Sequence, residues 1–397
     1  MAGQSERISE QPNFIKSHVN QFLQSLSSSP TEEDFTVTYC DIFWTIISVL
    51  GRIISILITI NVAFNYYRND QFDYFWWTVI CFTVPMLVTT FLQISIYLQD
   101  FNASRSSKTP SFCEFLWFVI VFPFLFRYCQ TLTYAIASKR AERANKKEEQ
   151  RKYFELLIHE DSDVALIRIF ECFLEAAPQK ILQITIILNE GRMNVPQILS
   201  ILSSFLSMAW CIASYHRCIR FAQVDKANIS WWGTIMQWLC HFLVSLSRVL
   251  SIAAIASLFP KWTLISCSIH AMLMALWIFL FDASPFCSSS MFLSFSFSLV
   301  LGMVFIFNYI LPKVGRTRYR YTIFYSICFV ENVICVYFFY NFASHDTMEK
   351  SYFILICVLA IVPFILGIAF MIIYYTRFHP NIIVRREVDG DQPSESN

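Results

Sequence analysis

The stretch FECFLEAAPQKILQITIIL, Phe170 to Leu188, decides how this chain is read. It is apolar enough to sit in a membrane, yet it carries Glu171, Glu175, Gln179 and Gln183, each four residues after the last. On an α-helix a four-residue step overshoots a full turn by about 40°, so the four side chains form one slowly winding polar stripe. The stripe climbs roughly 18 Å at 1.5 Å per residue. That is more than half of a hydrocarbon core of about 30 Å. A carboxylate at such depth costs on the order of 3 kcal/mol by insertion scales, so it faces water, a polar partner or a passing substrate. Two readings stand side by side: a path for polar headgroups, or polar glue between helices.

The rest of the chain suits a membrane setting. Of 397 residues, 56% are hydrophobic and only 15% charged, less charge than a soluble domain carries. The apolar runs are long and continuous, which excludes a β-barrel and points to an all-α polytopic membrane protein. The net charge of +1 implies no global electrostatic steering. Residues 1–38 read as a cytosolic tail without a signal peptide, 39–376 as the membrane domain with a cytosolic linker at 138–153, and 377–397 as a second cytosolic tail.

Ten apolar segments are visible, at about 39–64, 74–97, 113–136, 162–189, 195–221, 231–258, 262–281, 289–311, 320–341 and 352–376. Basic connectors at Ser138–Lys152, Tyr215–Lys226 and Pro312–Arg320, and the tail arginines Arg377, Arg385 and Arg386, belong in the cytosol by the positive-inside rule. Three segments separate the amino tail from the first connector, and three more separate the second from the third. An odd number of crossings cannot return to the same side. One segment of each trio is therefore expected to insert only partly, and the middle ones, holding Pro85 and His270, are the candidates. The expectation is about eight transmembrane helices plus two partly inserted ones, in two similar halves. Asn102 then lies outside, in an Asn-Ala-Ser glycosylation sequon, and Asn228 inside. Cys113 and Cys287 both fall near the outer surface, where a disulfide has low expectation.

Within the apolar segments the other ionisable residues are Asp41, Arg52, Arg127, Lys180, Arg248, His270 and Glu331. Arg127 and Arg248 are the expected counter-charges for Glu171 and Glu175. Asp41, Arg52 and Lys180 are expected to snorkel from segment ends. These charges make either internal locks or a hydrophilic furrow. Pro178 should kink the stripe helix. The chain lacks a GxxxxGK[ST] phosphate loop, an HExxH pair, an EF-hand pattern and a Cys/His cluster at zinc spacing. No metal, cofactor, enzyme chemistry or nucleic acid is expected, and transport should run downhill.

Several motifs resemble the XK-related family, which includes the Kell-associated membrane protein and the apoptotic phospholipid scramblases. They are FPFLFRY (Phe122–Tyr128), DVALIRIFECFLEAAPQKILQ (Asp163–Gln183), LSILSSFLSMAW with SYHR (Leu199–Arg217), SRVLSIAAIASLF (Ser247–Phe259), GRTRYRYTIFYSICFVEN (Gly315–Asn332) and YYTRFHP (Tyr374–Pro380). Loop divergence suggests an invertebrate member. The resemblance implies eight spanning and two partly inserted helices. For some members it implies energy-independent scrambling of phospholipids at the plasma membrane, with phosphatidylserine exposure in apoptosis after a caspase cuts a tail; other members act as partner subunits. Membrane phospholipids, a caspase and a single-span chaperone subunit are the implied partners. The family tends to carry two acids in the first helix where this chain has Ser55 and Thr59, and an aliphatic residue where it has Lys180. The candidate cleavage site is Asp389 in REVD-G; Asp34 in TEED-F, before a bulky Phe35, is weaker. The expected path residues are Glu171, Glu175, Gln179, Gln183, Arg127, Arg248 and Glu331. An ion channel or transporter and a non-transporting subunit are the alternatives.

Overall fold

The computed structural model describes residues 37, 39–103, 126–191, 195–221, 229–281, 291–310, 318–350 and 352–380. Asp34, Asp389, Cys113, Cys287 and Asn228 lie outside that range, and Asn102 falls in the last turn of a helix with its side chain outside the description. All regular elements among the described residues are helical. In chain order they are α1 (Tyr39–Arg68), α2 (Phe72–Ala103), α3 (Phe126–Arg143), α4 (Lys147–Phe170), α5 (Ala177–Glu190), α6 (Val195–Phe221), α7 (Trp231–Leu258), α8 (Pro260–Phe281), α9 (Met291–Val304), α10 (Arg318–Phe342), α11 (His345–Met348) and α12 (Tyr352–Ile373). Two short π-helical turns, Glu171–Ala176 and Tyr374–Phe378, complete the set.

Seven described helices have the length and apolarity to cross a membrane: α1, α2, α6, α7, α8, α10 and α12 with its following turn. The chain is a multi-pass membrane protein. The helices holding Pro85 and His270 are each unbroken and long enough to cross. Pro85 is carried inside α2, where it forgoes one backbone hydrogen bond. The shorter apolar helix of the second half is α9, whose 14 residues reach about 21 Å at 1.5 Å per residue.

Two helical hairpins close on single residues in the left-handed region. Asp70, between α1 and α2, has φ 55°, and Asn145, between α3 and α4, has φ 54°. Asp and Asn tolerate that region because their short side chains hydrogen-bond locally. The α4 rod runs through the π turn into α5. At their junction the Ala177 N–H donates to the Cys172 carbonyl, five residues back. Pro178 follows at once; the expected kink is met by this widened turn, which absorbs the proline next to it. The rod stops at Gly191, in left-handed conformation at φ 70°, with its N–H on the Ile187 carbonyl.

Packing is uneven. The central helix α7 has 15 of its 28 residues buried, with α12, α6, α5 and α10 against it. Close approach needs glycine at two points. A Cβ on Gly302 of α9 would overlap the Ala271 carbonyl of α8 and lie 2.9 Å from the Ala275 nitrogen. A Cβ on Gly367 of α12 would lie 2.9 Å from Val244 of α7 and 3.1 Å from the Cys240 carbonyl. By contrast only Arg52 and Thr59 are buried among the described side chains of α1. Its Ile54, Leu57 and Ile58 point outward, as suits a helix bathed in acyl chains, since lipid is as apolar as these side chains.

Candidate functional site

The stripe is buried, and its lower end is closed. Glu171 and Glu175 sit in the π turn and are 8% and 5% exposed. Their shared cation is Arg52 of α1, itself buried. Its Nε lies 3.4 Å from Glu171 Oε1, and its Nη2 donates to Glu175 Oε2 at 3.1 Å. Tyr128 of α3 donates its hydroxyl to Glu171 Oε2 at 2.8 Å, and the Arg168 guanidinium lies over the Tyr128 ring at 5.2 Å. The Arg52 Nε, though buried, has no hydrogen-bond partner among the described residues. The clamp therefore forgoes one bond, in a setting where an unmade bond costs about 1–3 kcal/mol. Higher up, Gln179 and Lys180 are buried, and the Lys180 ammonium donates to Gln183 Oε1 at 3.0 Å.

Two expectations are corrected here. Arg52 and Lys180 do not snorkel from segment ends; both are buried within the bundle. Nor is the stripe an open furrow in this conformation, because α2 packs against its rod and α1 sets the Arg52 side chain on the two acids. The counter-charge comes from the same source: Arg52 is the cation that brackets both glutamates.

Arg127 and Arg248 serve other acids. Arg127 of α3 donates through Nη1 to Glu160 at 3.0 Å and Asp163 at 2.8 Å, tying α3 to α4. Arg248 of α7 is the hub of the second half. It donates to the Ile306 carbonyl at 2.9 Å, the Cys328 carbonyl at 3.2 Å, Asn332 Oδ1 at 2.8 Å and Glu331 Oε2 at 2.8 Å. His270 Nδ1 meets the other Glu331 oxygen at 2.7 Å. Asn332 donates on to Ser247, whose hydroxyl bonds the Ala360 carbonyl of α12. A second polar cluster joins His241, Asn308, Ser245 and Tyr325. These satisfied networks fix helix register. Of the seven expected path residues, then, the structure brings Glu171 and Glu175 together, keeps Gln179 and Gln183 on the same rod, and places Arg127 and the Arg248–Glu331 pair in separate nodes.

The metal question has a local answer. His270, Cys328 and Glu331 offer three ligand atoms within 4.8 Å of one another. Arg248 already holds the Glu331 carboxylate at 2.8 Å, so a metal ion there would face a cation at once.

Between them, α1 and α2 part to leave a crevice of about 420 Å³. It is lined by Ala63, Phe64, Phe75 and Phe82, with Thr59 and Thr78 as its polar points. Thr59 and Arg52, about two turns apart, are the buried polar residues among the described side chains of α1. Sequence reasoning missed Arg52 as the partner, and also Tyr128, Asn308 and Asn332. The available signal for Arg52 was its place well inside an otherwise apolar run.

Comparison with known proteins agrees with this architecture. A family model described as XK-related protein matches residues 43–380. The chain is 28% identical over 284 residues to cell death abnormality protein 8 of Caenorhabditis elegans, covering 68% of this chain and 60% of that one. It is 26% identical over 242 residues to XK-related protein 8 of Tetraodon nigroviridis, covering 60% of this chain and 57% of that one. The matched region thus spans about three-fifths of the length of each of these relatives. With the family match running through nearly every described helix, the chain belongs to the XK-related family.

Proposed function

We propose that this protein lets phospholipids cross the bilayer downhill, without ATP, and exposes phosphatidylserine at the plasma membrane of dying cells. No bond of the lipid is made or broken, so the activity is transfer and not enzymatic conversion. The observation that carries this reading is the Arg52–Glu171/Glu175 clamp. It is a buried ion pair that joins α1, the least buried of the seven spans, to the π turn, and α1 leaves an apolar crevice against α2 further along. Breaking the Arg52 clamp and parting the α1–α2 hairpin from the rod would uncover the stripe sideways. A zwitterionic headgroup would then meet Glu171, Glu175, Gln179 and Gln183 on one side and the Arg52 cation on the other, while its tails stay in hydrocarbon. Such a track lowers the cost of carrying charge through the core, and that cost is the whole barrier to lipid flip-flop. The relative named for cell death supports the apoptotic setting.

The trigger we propose is caspase cleavage after Asp389, with Asp34 the weaker site. Both termini are then cytosolic, and a single-span chaperone subunit is a further candidate partner. Dithionite bleaching of labelled lipids in reconstituted vesicles tests the activity: loss of more than half the label supports it, and bleaching that stops at half refutes it. Asp389→Ala should block both cleavage and lipid exposure in dying cells. A non-transporting subunit is the second reading, and one observation favours it: both acids are sealed against Arg52 in this conformation, as a rigid scaffold would have them.

A further inference from the structure

The π turn that carries both acids also carries Cys172, and its thiol faces another. Cys172 Sγ lies 3.2 Å from Cys211 Sγ of α6, 39 positions away in sequence. Cys211 is buried, while Cys172 is partly accessible. A disulfide of about 2.05 Å needs a further approach of about 1.2 Å between the two sulfurs. Arg168 interacts electrostatically with Cys211, so a transient thiolate there has a cation at hand.

We infer that Cys172 and Cys211 form a redox-controlled pair that a hydroperoxide closes into a disulfide. The partly accessible Cys172 thiol attacks the O–O bond and becomes a sulfenic acid, releasing the alcohol. Cys211 then attacks the Cys172 sulfur and displaces hydroxide, which leaves as water. The balance is one hydroperoxide and two thiols to one disulfide, one alcohol and one water; sulfur is oxidised and the peroxide oxygen reduced. The apolar surround suits an organic hydroperoxide, which partitions into lipid. The bond would staple the π turn to α6 one residue from Glu171. It stands on geometry alone and does not depend on lipid transfer.

The full-length protein in vesicles is treated with cumene hydroperoxide, its remaining thiols are blocked with N-ethylmaleimide, and its peptides are mapped by mass spectrometry without reductant. The expected result is a peptide pair joined through Cys172 and Cys211, absent before treatment and lost with dithiothreitol. Cys211→Ser should leave Cys172 as a sulfenic acid that dimedone traps. Recovery of Cys172 and Cys211 both alkylated while other thiols are oxidised overturns the inference, as does joining of either to a different cysteine. Where the serine variant fails to fold, the wild-type peptide map decides alone.

Discussion

Two buried arginines, one in each half of the molecule, are bonded to glutamates in opposite settings. Arg248 sits on α7, the most buried helix, and makes four hydrogen bonds that reach α10 and the chain after α9. Arg52 sits on α1, whose described side chains are otherwise buried only at Thr59; it makes one hydrogen bond at 3.1 Å and leaves its Nε without one. The same chemistry serves different ends because the surroundings differ. Around Arg248 every neighbour is held by others, so the pair acts as a fixed joint. Around Arg52 the helix that carries it packs on α2 and α3 and buries little else. A buried pair is a weak source of net stability, yet breaking it from one side is costly.

The comparison can be broken most directly at Arg248. Arg248→Met should leave Glu331, Asn332 and two backbone carbonyls without their donor, at a cost of about 3–5 kcal/mol. The expected outcome is loss of the monodisperse folded protein in detergent, read by size-exclusion chromatography and thermal melting. If Arg248→Met folds normally, the fixed-joint reading is wrong. Next comes Arg52→Gln. It should leave the fold in place and raise resting lipid transfer about tenfold, which corresponds to about 1.4 kcal/mol off the barrier. Glu171→Gln with Glu175→Gln breaks the same clamp but also strips the stripe of its acids, and should give less transfer than Arg52→Gln in the same vesicle assay, with expression retained. Equal loss of folded protein in the Arg52 and Arg248 variants would erase the difference between the two halves.

Packing in the second half gives a smaller effect. Gly302→Ala forces a methyl group against the α8 backbone at Ala271 and Ala275 and should cost about 1–3 kcal/mol, visible as a lowered melting temperature. The smallest effect concerns the end of the last helix. His379, just past the final span, meets Arg220 at 3.0 Å, and burial beside that cation holds its imidazole down to about 4 from the ordinary 6.5. The folded form therefore keeps this ring neutral. Its contribution is complete above pH 6.5 and fades as pH falls from 6.5 through about 4. Because the group is half exposed, solvent screening limits this to about 1 kcal/mol or less. Hydrogen exchange around Tyr374–Pro380 should rise over that window in the wild type and not in His379→Gln.

Much of the fold was legible because a spanning helix is written locally, as one unbroken apolar run. Helices α7, α8 and α12 coincide closely with segments read from composition alone. The Lys180–Gln183 contact, three residues apart, is equally local. What stayed hidden was long-range. Arg52 meets Glu175 across 123 positions, and nothing in either segment names the other. Arg248 and Glu331 are 83 positions apart, and the neighbouring Asn332 looked like an ordinary helix residue. Pro178 announced an irregularity, but whether the chain answers with a kink or a widened turn depends on what packs beside it. The widened turn changes the stripe itself. With more than four residues per revolution, a four-residue step falls short of a full turn where an α-helix would overshoot. Glu171 and Glu175 therefore lean back against the drift of the residues above them, toward one guanidinium.

A π turn amounts to one surplus residue lodged in an α-helix. Excising a single position from Glu171–Ala176 would yield a smooth rod with little change downstream: five α-helical residues turn about 500°, close to what six residues turn at a little over four per revolution, so Ala177–Glu190 would keep its facing. A deletion between Glu171 and Glu175 would instead set the two acids three residues apart, about 300° around an α-helix, and part them at the Arg52 guanidinium. The surplus residue thus serves the clamp and not the core, and its removal should be felt at Arg52 while the fold survives.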